Sequence, residues 1–193
     1  MQVQNKTIKS KADLAAVKEG YFKCLEGKAF RIQVCSGAGC ISSDCHSVRD
    51  ALLECLEANG LSDSVQVIET GCIGTCDIGP VVVVTPLRQK GAGEQGRDAA
   101  QKAVFYIKLT PQDIPEIVES HLVKNMVLVD KTYFDHGQNK HIPFMEDIEY
   151  FRNQTKIALR NCGSIDHGSL EQYIAYDGYM AAAKVFESCT PET

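Results

Sequence analysis

Five of the nine cysteines stand in two short, glycine-bearing stretches, "CSGAGCISSDC" at 35–45 and "GCIGTC" at 71–76. Thiols gathered this way can form a redox pair, a zinc site, disulfides or an iron–sulfur cluster. The spacing is Cys35-x4-Cys40, then Cys72-x3-Cys76. Structural zinc knuckles favour x2 spacing, which neither pair has. A redox dithiol expects Cys-x-x-Cys ahead of a helix, and the chain contains none. A thiolate cage for iron takes backbone N–H groups aimed at its sulfurs and small residues that let the chain wrap closely. "SGAG" and "IGT" meet that need, because glycine tolerates left-handed backbone. Cys24 and Cys55 fall in helical stretches and read as small core cysteines.

The elements that must position these loops follow from periodicity. Residues 10–27 read as a helix capped by Ser10, with Leu14, Val17 and Phe22 near one face and Gly27 as its stop. "AFRIQVC" alternates apolar and polar residues as a half-buried strand and runs straight into Cys35. Residues 44–59 carry the stripe Val48, Leu52, Leu53, Leu56 and end at Asn59-Gly60, another helix. "SVQVIET" is a second strand that leads to Cys72. "PVVVVTP" is a third, continuously apolar and so buried, and "AVFYIKL" (103–109) a fourth. The polar, Gly-rich residues between these last two read as a loop. "TPQDIPEIVESHL" opens a helix with Thr110 as N-cap and Pro111 at the first position, its buried face formed by Ile114, Ile117, Val118, His121 and Leu122. Residues 29–123 thus run strand, helix, strand, strand, strand, helix, a compact α/β sandwich.

Residues 130–156 lack periodicity and carry many charges, so they read as a linker or an extended segment lying on another surface. Order returns in "IALRNCGSIDHGSLEQYIAYDGYMAAAKVF", where Asp166 or Ser169 can cap a helix and Gly178 interrupts it. The chain of 193 residues carries 20 Lys and Arg against 25 Asp and Glu, a net charge of -5. That balance gives no electrostatic footprint for nucleic acid or an anionic membrane. No apolar run is long enough to span a bilayer, and the opening residues lack the apolar core of a secretory signal. A cytoplasmic protein is expected. Disulfides are rare there, and an odd cysteine count leaves one unpaired.

"VCSGAGC", "ETGCIGTCDIGPVVVV" and "TPQDIPEIVESHL" together resemble the thioredoxin-like 2Fe–2S ferredoxin family, over about residues 29 to 129. The resemblance implies a thioredoxin-like α/β sandwich holding a 2Fe–2S cluster on Cys35, Cys40, Cys72 and Cys76. The chain departs from the family at Cys45, a fifth nearby cysteine, and at the long loop 88–102. Cys45 follows Ser42, Ser43 and Asp44, all good N-cap residues, which places it in the first turn of the next helix. There it is expected to have a lowered thiol pKa and to be open to oxidation, and not to be a ligand. Asp77 and Glu69 flank the second pair, and if close they would lower the reduction potential.

The stretch 157–193 resembles the opening of the flavin-binding domain in the NADH-oxidising subunit of complex I. It is most similar to soluble relatives in NAD(P)-linked, often electron-bifurcating, hydrogenases and formate dehydrogenases. That resemblance implies an N-terminal helical extension (1–28), a ferredoxin domain (29–129), a linker (130–156) and a truncated opening of the FMN/NADH domain (157–193). FMN, NAD(P) and a 4Fe–4S cluster would belong to a missing C-terminal part. The implied partners are a hydrogenase or formate dehydrogenase subunit and a small thioredoxin-like 2Fe–2S subunit. Cys162, in "RNCG", reads as structural. "GAGEQG" opens no helix and is rejected as a nucleotide loop. Alone, the chain is expected to carry electrons without oxidising NADH. A zinc-stabilised module docking onto a larger enzyme is the alternative. Of the histidines, only His46 lies near the cysteine loops and is a candidate replacement ligand, while His121 sits on an apolar helix face.

Overall fold

A computed structural model describes residues 7–87 and 102–190 of the chain. Most of the loop 88–102, including "GAGEQG", lies outside the described residues. The chain opens with α1 (Lys11–Leu25), whose N-cap Ser10 exchanges hydrogen bonds with Asp13 in a capping box. Then come β1 (Phe30–Cys35), α2 (Ala38–Ser42), α3 (Cys45–Ala58), β2 (Val65–Thr70), β3 (Val82–Pro86) and β4 (Val104–Tyr106). The sheet order is β2-β1-β3-β4. Crossing by way of α3 makes β1 and β2 parallel, with Phe30 opposite Val65 and Cys35 opposite Thr70. β3 runs antiparallel to β1, and β4 to β3.

The expected α/β, thioredoxin-like sandwich is present. Ile32 and Val34 of β1 meet Val48, Leu52 and Leu56 of α3 in a closed core. The helix over 111–123 starts as a 3-10 turn, continues as α4 (Ile114–Ile117) and ends as a wide π turn. Pro115, which has no N–H to donate, sits in its middle. Of its expected buried face, Ile114, Ile117, Val118 and His121 are buried and Leu122 is half-buried.

Residues 129–152 lie along the free edge of β4. They form the hairpin β5 (Tyr133–Asp135) and β6 (Lys140–Ile142), followed by α5 (Glu149–Arg152). Phe105 N–H donates to the Pro143 carbonyl at 2.8 Å, Ile107 N–H to that of Lys131 at 3.0 Å, and Met145 N–H to that of Ala103 at 2.9 Å. Thr132, Ile142 and Ile148 are buried. This segment therefore packs along the sheet edge and satisfies the backbone groups that an edge strand leaves bare.

The second face of the sheet is covered by α1 with α6 (Leu170–Ala175) and the segment before it. Buried Arg31 of β1 anchors this layer, donating to Gln66 Oε1 at 2.8 Å, Tyr176 Oη at 3.0 Å and Tyr21 Oη at 3.1 Å. Ser169 caps α6, and Tyr179 turns the chain into α7 (Met180–Ser188). Among the described residues no helix is long and apolar enough to cross a membrane.

Candidate metal centre

Both cysteine loops leave the same end of two paired strands. Cys35 is the last residue of β1, and Thr70, opposite it, ends β2 two residues before Cys72. Parallel pairing is what brings two sequence-distant loops together. The first loop contains a helical turn the sequence did not signal, α2, which carries Cys40. Two glycines and a cysteine give no apolar stripe, so only the closed fold reveals it.

The glycines of one loop seat the cysteines of the other. A Cβ on Gly37 would lie 2.6 Å from Cys72 Cβ, and one on Gly39 would lie 2.6 Å from Cys76 Cβ. One on Gly79 would lie 2.9 Å from Cys40 Sγ. Backbone N–H groups point at the sulfurs: Gly74 donates to Cys72 Sγ at 3.3 Å, Val81 to Cys40 and Gly39 to Cys76. Cys72 and Cys76 Sγ are 3.3 Å apart. Cys35 and Cys40 are buried, whereas Cys72 and Cys76 are exposed.

The thiols of Cys40 and Cys76 are raised above their ordinary range. Burial first, and then the Cys35 thiol beside it, push Cys40 up to about 12. Hydrogen bonding and charge from Cys72 raise Cys76. A metal reverses that balance, since a coordinating thiol is deprotonated outright. Two buried hydroxyls at the rim of the second loop, Thr70 Oγ1 and Thr75 Oγ1, have no hydrogen-bond partner among the described residues. An unpaired buried hydroxyl carries a desolvation cost that a bound acceptor would relieve. Among the described residues, no three His, Cys, Asp or Glu side chains gather around one point as ligands for a single ion. Cys35 stands beside Cys40 and Cys72 beside Cys76, a set of four thiols such as a 2Fe–2S cluster would take. Close-wrapped glycines, N–H···S bonds and paired thiols all fit a 2Fe–2S group.

Other expected neighbours fall differently. Cys45 is in the first turn of α3, but it is fully buried rather than open to oxidation. Burial, with Cys35 and Glu69 adding to it, raises its thiol instead of lowering it. The N-cap Asp44 takes φ 64 and makes no side-chain cap bond, and the first turn faces the core, so desolvation outweighs the helix dipole. Glu69 is tied up: Arg49 donates to it, and Ser36 Oγ donates at 2.9 Å. Burial alone would raise its carboxyl, yet these two partners hold it below the usual range. Its charge is largely offset, which weakens the expected lowering of the potential. His46 Nδ1 lies 3.3 Å from Arg49 Nη1 and 3.7 Å from Glu69 Oε2, within that ion pair. His121 is buried and bonded through Nδ1 to Tyr106 Oη at 2.9 Å.

Two contacts at the site escaped the sequence reading. Cys162 Sγ donates to the Cys72 carbonyl at 2.7 Å. Tyr150 lies over Gly74, where a Cβ would come within 2.3 Å of its hydroxyl. Both residues are far from the loops in sequence and carry no local signal.

No family model matches the chain. Residues over an 89-residue stretch, 46% of this chain, are 34% identical to 72% of a 2Fe–2S ferredoxin from Clostridium pasteurianum. Among solved structures, a thioredoxin-like [2Fe–2S] ferredoxin from Aquifex aeolicus matches 52% of this chain and 86% of its own at 25% identity, with a TM-score of 0.41. A second structure of that protein matches 92% of its own length at 25% identity and a TM-score of 0.39.

Proposed function

This chain belongs to the 2Fe–2S ferredoxin family, and from that premise we propose a larger setting for its electron transfer. It is the opening part of the NAD(P)H-oxidising or NAD(P)-reducing flavoprotein subunit of a soluble, electron-bifurcating hydrogenase or formate dehydrogenase. The observation that carries the electron-transfer reading is the interlock of Gly37 with Cys72 and Gly39 with Cys76, which leaves room for sulfur and none for a side chain.

Cys35, Cys40, Cys72 and Cys76 are the ligand set in this reading. When bound there, the cluster supplies one-electron oxidation and reduction with no bond made to substrate. The chain's own residues do the rest. The N–H groups of Gly74, Val81 and Gly39 stabilise negative charge on sulfur. Val34 and Val81, both wholly buried, adjoin Cys35 and exclude water from the inner pair. Cys72 and Cys76 stand at the surface, on the side from which a partner flavin or cluster can approach.

The larger setting draws support from the tail. The exposed apolar side chains Ile157, Leu159, Val185 and Phe186, the last 87% exposed, suit burial against the rest of a larger subunit. FMN, NAD(P) and a 4Fe–4S cluster would sit in that remainder, and the partner subunits would be a hydrogenase or formate dehydrogenase subunit and a small thioredoxin-like 2Fe–2S subunit.

The full chain, purified without air, tests the first part. It should be red-brown, contain iron and acid-labile sulfide in equal amounts, and give an electron-spin signal on reduction. A colourless protein holding zinc would overturn the reading in favour of a zinc-stabilised module. The reading frame beyond Thr193 tests the second part. A nucleotide-binding glycine loop and a further cysteine set should follow, and their absence would sink the flavoprotein assignment.

A further inference from the structure

The exposed second cysteine loop is held from outside the ferredoxin sandwich. Cys162 Sγ donates to the carbonyl of Cys72 at 2.7 Å. It also lies 3.7 Å from where a Gly71 Cβ would stand. The next residue, Gly163, has φ +84, and a Cβ there would come within 2.7 Å of Ile73 Cγ2. A larger residue would thus push on the residue between Cys72 and Gly74. The Gly163 carbonyl accepts from Gln33 Nε2 at 3.0 Å, and Gln33 Oε1 accepts from Thr85 Oγ1 at 3.0 Å. Lys156 Nζ donates to the Cys162 carbonyl at 3.2 Å. Thr70 pairs with Asp166 across an isolated antiparallel bridge.

These contacts form one chain of bonds. It starts on β1 at Gln33, two residues before Cys35, passes through Gly163 and Cys162, and ends at Cys72. Gly37 and Gly39 pack against Cys72 and Cys76, yet Cys72, Gly74 and Cys76 all remain exposed. We propose that residues 156–166 are a brace on the second cysteine loop, and that Cys162 is a positioning residue for Cys72. Its thiol fixes the Cys72 carbonyl, and with it the turn whose Gly74 N–H bonds the Cys72 sulfur. The brace rests on the 2Fe–2S reading. Its chemical effect is specific: N–H···S bonds stabilise the reduced, more negative cluster, so a well-held turn keeps the potential up. Outer contacts of this sort also govern how long a metal group stays bound.

The test uses the full chain, loaded without air, with Cys162→Ala and Cys162→Ser. The readouts are the midpoint potential, the electron-spin signal of the reduced form and the rate of bleaching in air. Cys162→Ala should lower the midpoint and speed bleaching about tenfold. Cys162→Ser keeps an O–H donor and should stay near the parent in both. An alanine variant with parent-like potential and bleaching overturns the brace. So does a serine variant that behaves as the alanine one, since that would mean packing alone. If Cys162→Ala does not fold, as judged by circular dichroism, Gln33→Leu takes its place. By freeing the Gly163 carbonyl it should lower the midpoint too, and an unchanged midpoint overturns the proposal. A parent chain that takes up no iron overturns the 2Fe–2S reading itself, and the brace with it.

Discussion

Gly39 and Cys76 face each other so closely that a methyl group on Gly39 would come within 2.6 Å of Cys76 Cβ. Gly39 lies in α2, where alanine in place of glycine ordinarily stabilises by about 0.5–1 kcal/mol. Forcing a carbon into a closed contact costs about 1–3 kcal/mol, so the clash wins. Gly39→Ala should therefore destabilise the fold and cut iron content. Gly20, in the middle of α1, has nothing within 4 Å of its would-be Cβ, and Gly20→Ala should stabilise instead. Chemical unfolding and iron analysis of both variants check the pair. If Gly39→Ala gained stability and kept its iron, the interlock would not be what seats Cys76.

His121 gives a pH dependence that has nothing to do with the cysteines. Burial pulls it down to about 4 from 6.5, with Tyr106 Oη on Nδ1 and Phe30 edge-on to the ring. Asp130 is the charged group that acts on Tyr106. The folded state thus keeps the imidazole neutral while the unfolded chain takes a proton below 6.5. A depressed folded pKa of a base means stability is full above pH 6.5 and is lost as pH falls from 6.5 towards 4. At pH 5 the loss amounts to about 2 kcal/mol relative to pH 7.5. Urea unfolding at the two pH values should show it, and His121→Gln should flatten the difference. An equal drop in the variant would assign the slope to other groups.

Residues 129–148 should behave as part of the sheet. The amides of Phe105, Ile107 and Met145 bond across to or from this segment, and Ile142 and Ile148 are buried. Hydrogen exchange at Phe105 and Met145 should be slow, approaching that of the β1 amides. Limited proteolysis should spare 132–148. Rapid exchange with a cut at Gly137-Gln138 that frees the tail would instead mean a tether.

What the sequence made legible follows the range of each signal. Strand alternation ending at Cys35, the apolar β3 and the stripe of α3 are local patterns, and each element sits where its pattern placed it. The edge hairpin did not show. β5 and β6 are three residues long, and the backbone bonds that the flanking Lys131, Pro143 and Met145 make at the β4 edge need no apolar period. The cysteine pairs stood out because four thiols near glycines are rare, yet α2 and the depth of Cys45 did not. Burial is decided by the turn of α3 against the core, which spacing does not encode. Cys162 stands 90 residues from Cys72, and only the cover over the second sheet face brings them together.

The most discriminating prediction concerns which cysteine pairs with Cys35. Both candidates are buried, Cys40 at 1% exposure and Cys45 fully, so burial does not separate them. Surroundings do. Cys40 takes a backbone N–H bond from Val81 and lies against Gly79, which has no room for a side chain. Cys45 has Ser36 as a hydrogen-bond partner and sits among the α3 core residues. In Cys45→Ser the new hydroxyl has Ser36 within reach, and the cost should be limited to about 1–3 kcal/mol of stability. Its visible spectrum and iron content should match the parent's. Cys40→Ser should shift or abolish the spectrum and lower the iron content, because in the proposed ligand set it replaces a sulfur by oxygen. Absorbance and iron analysis of the two variants decide the matter. A Cys45 variant without iron beside a Cys40 variant that keeps it would move the ligand from α2 to α3.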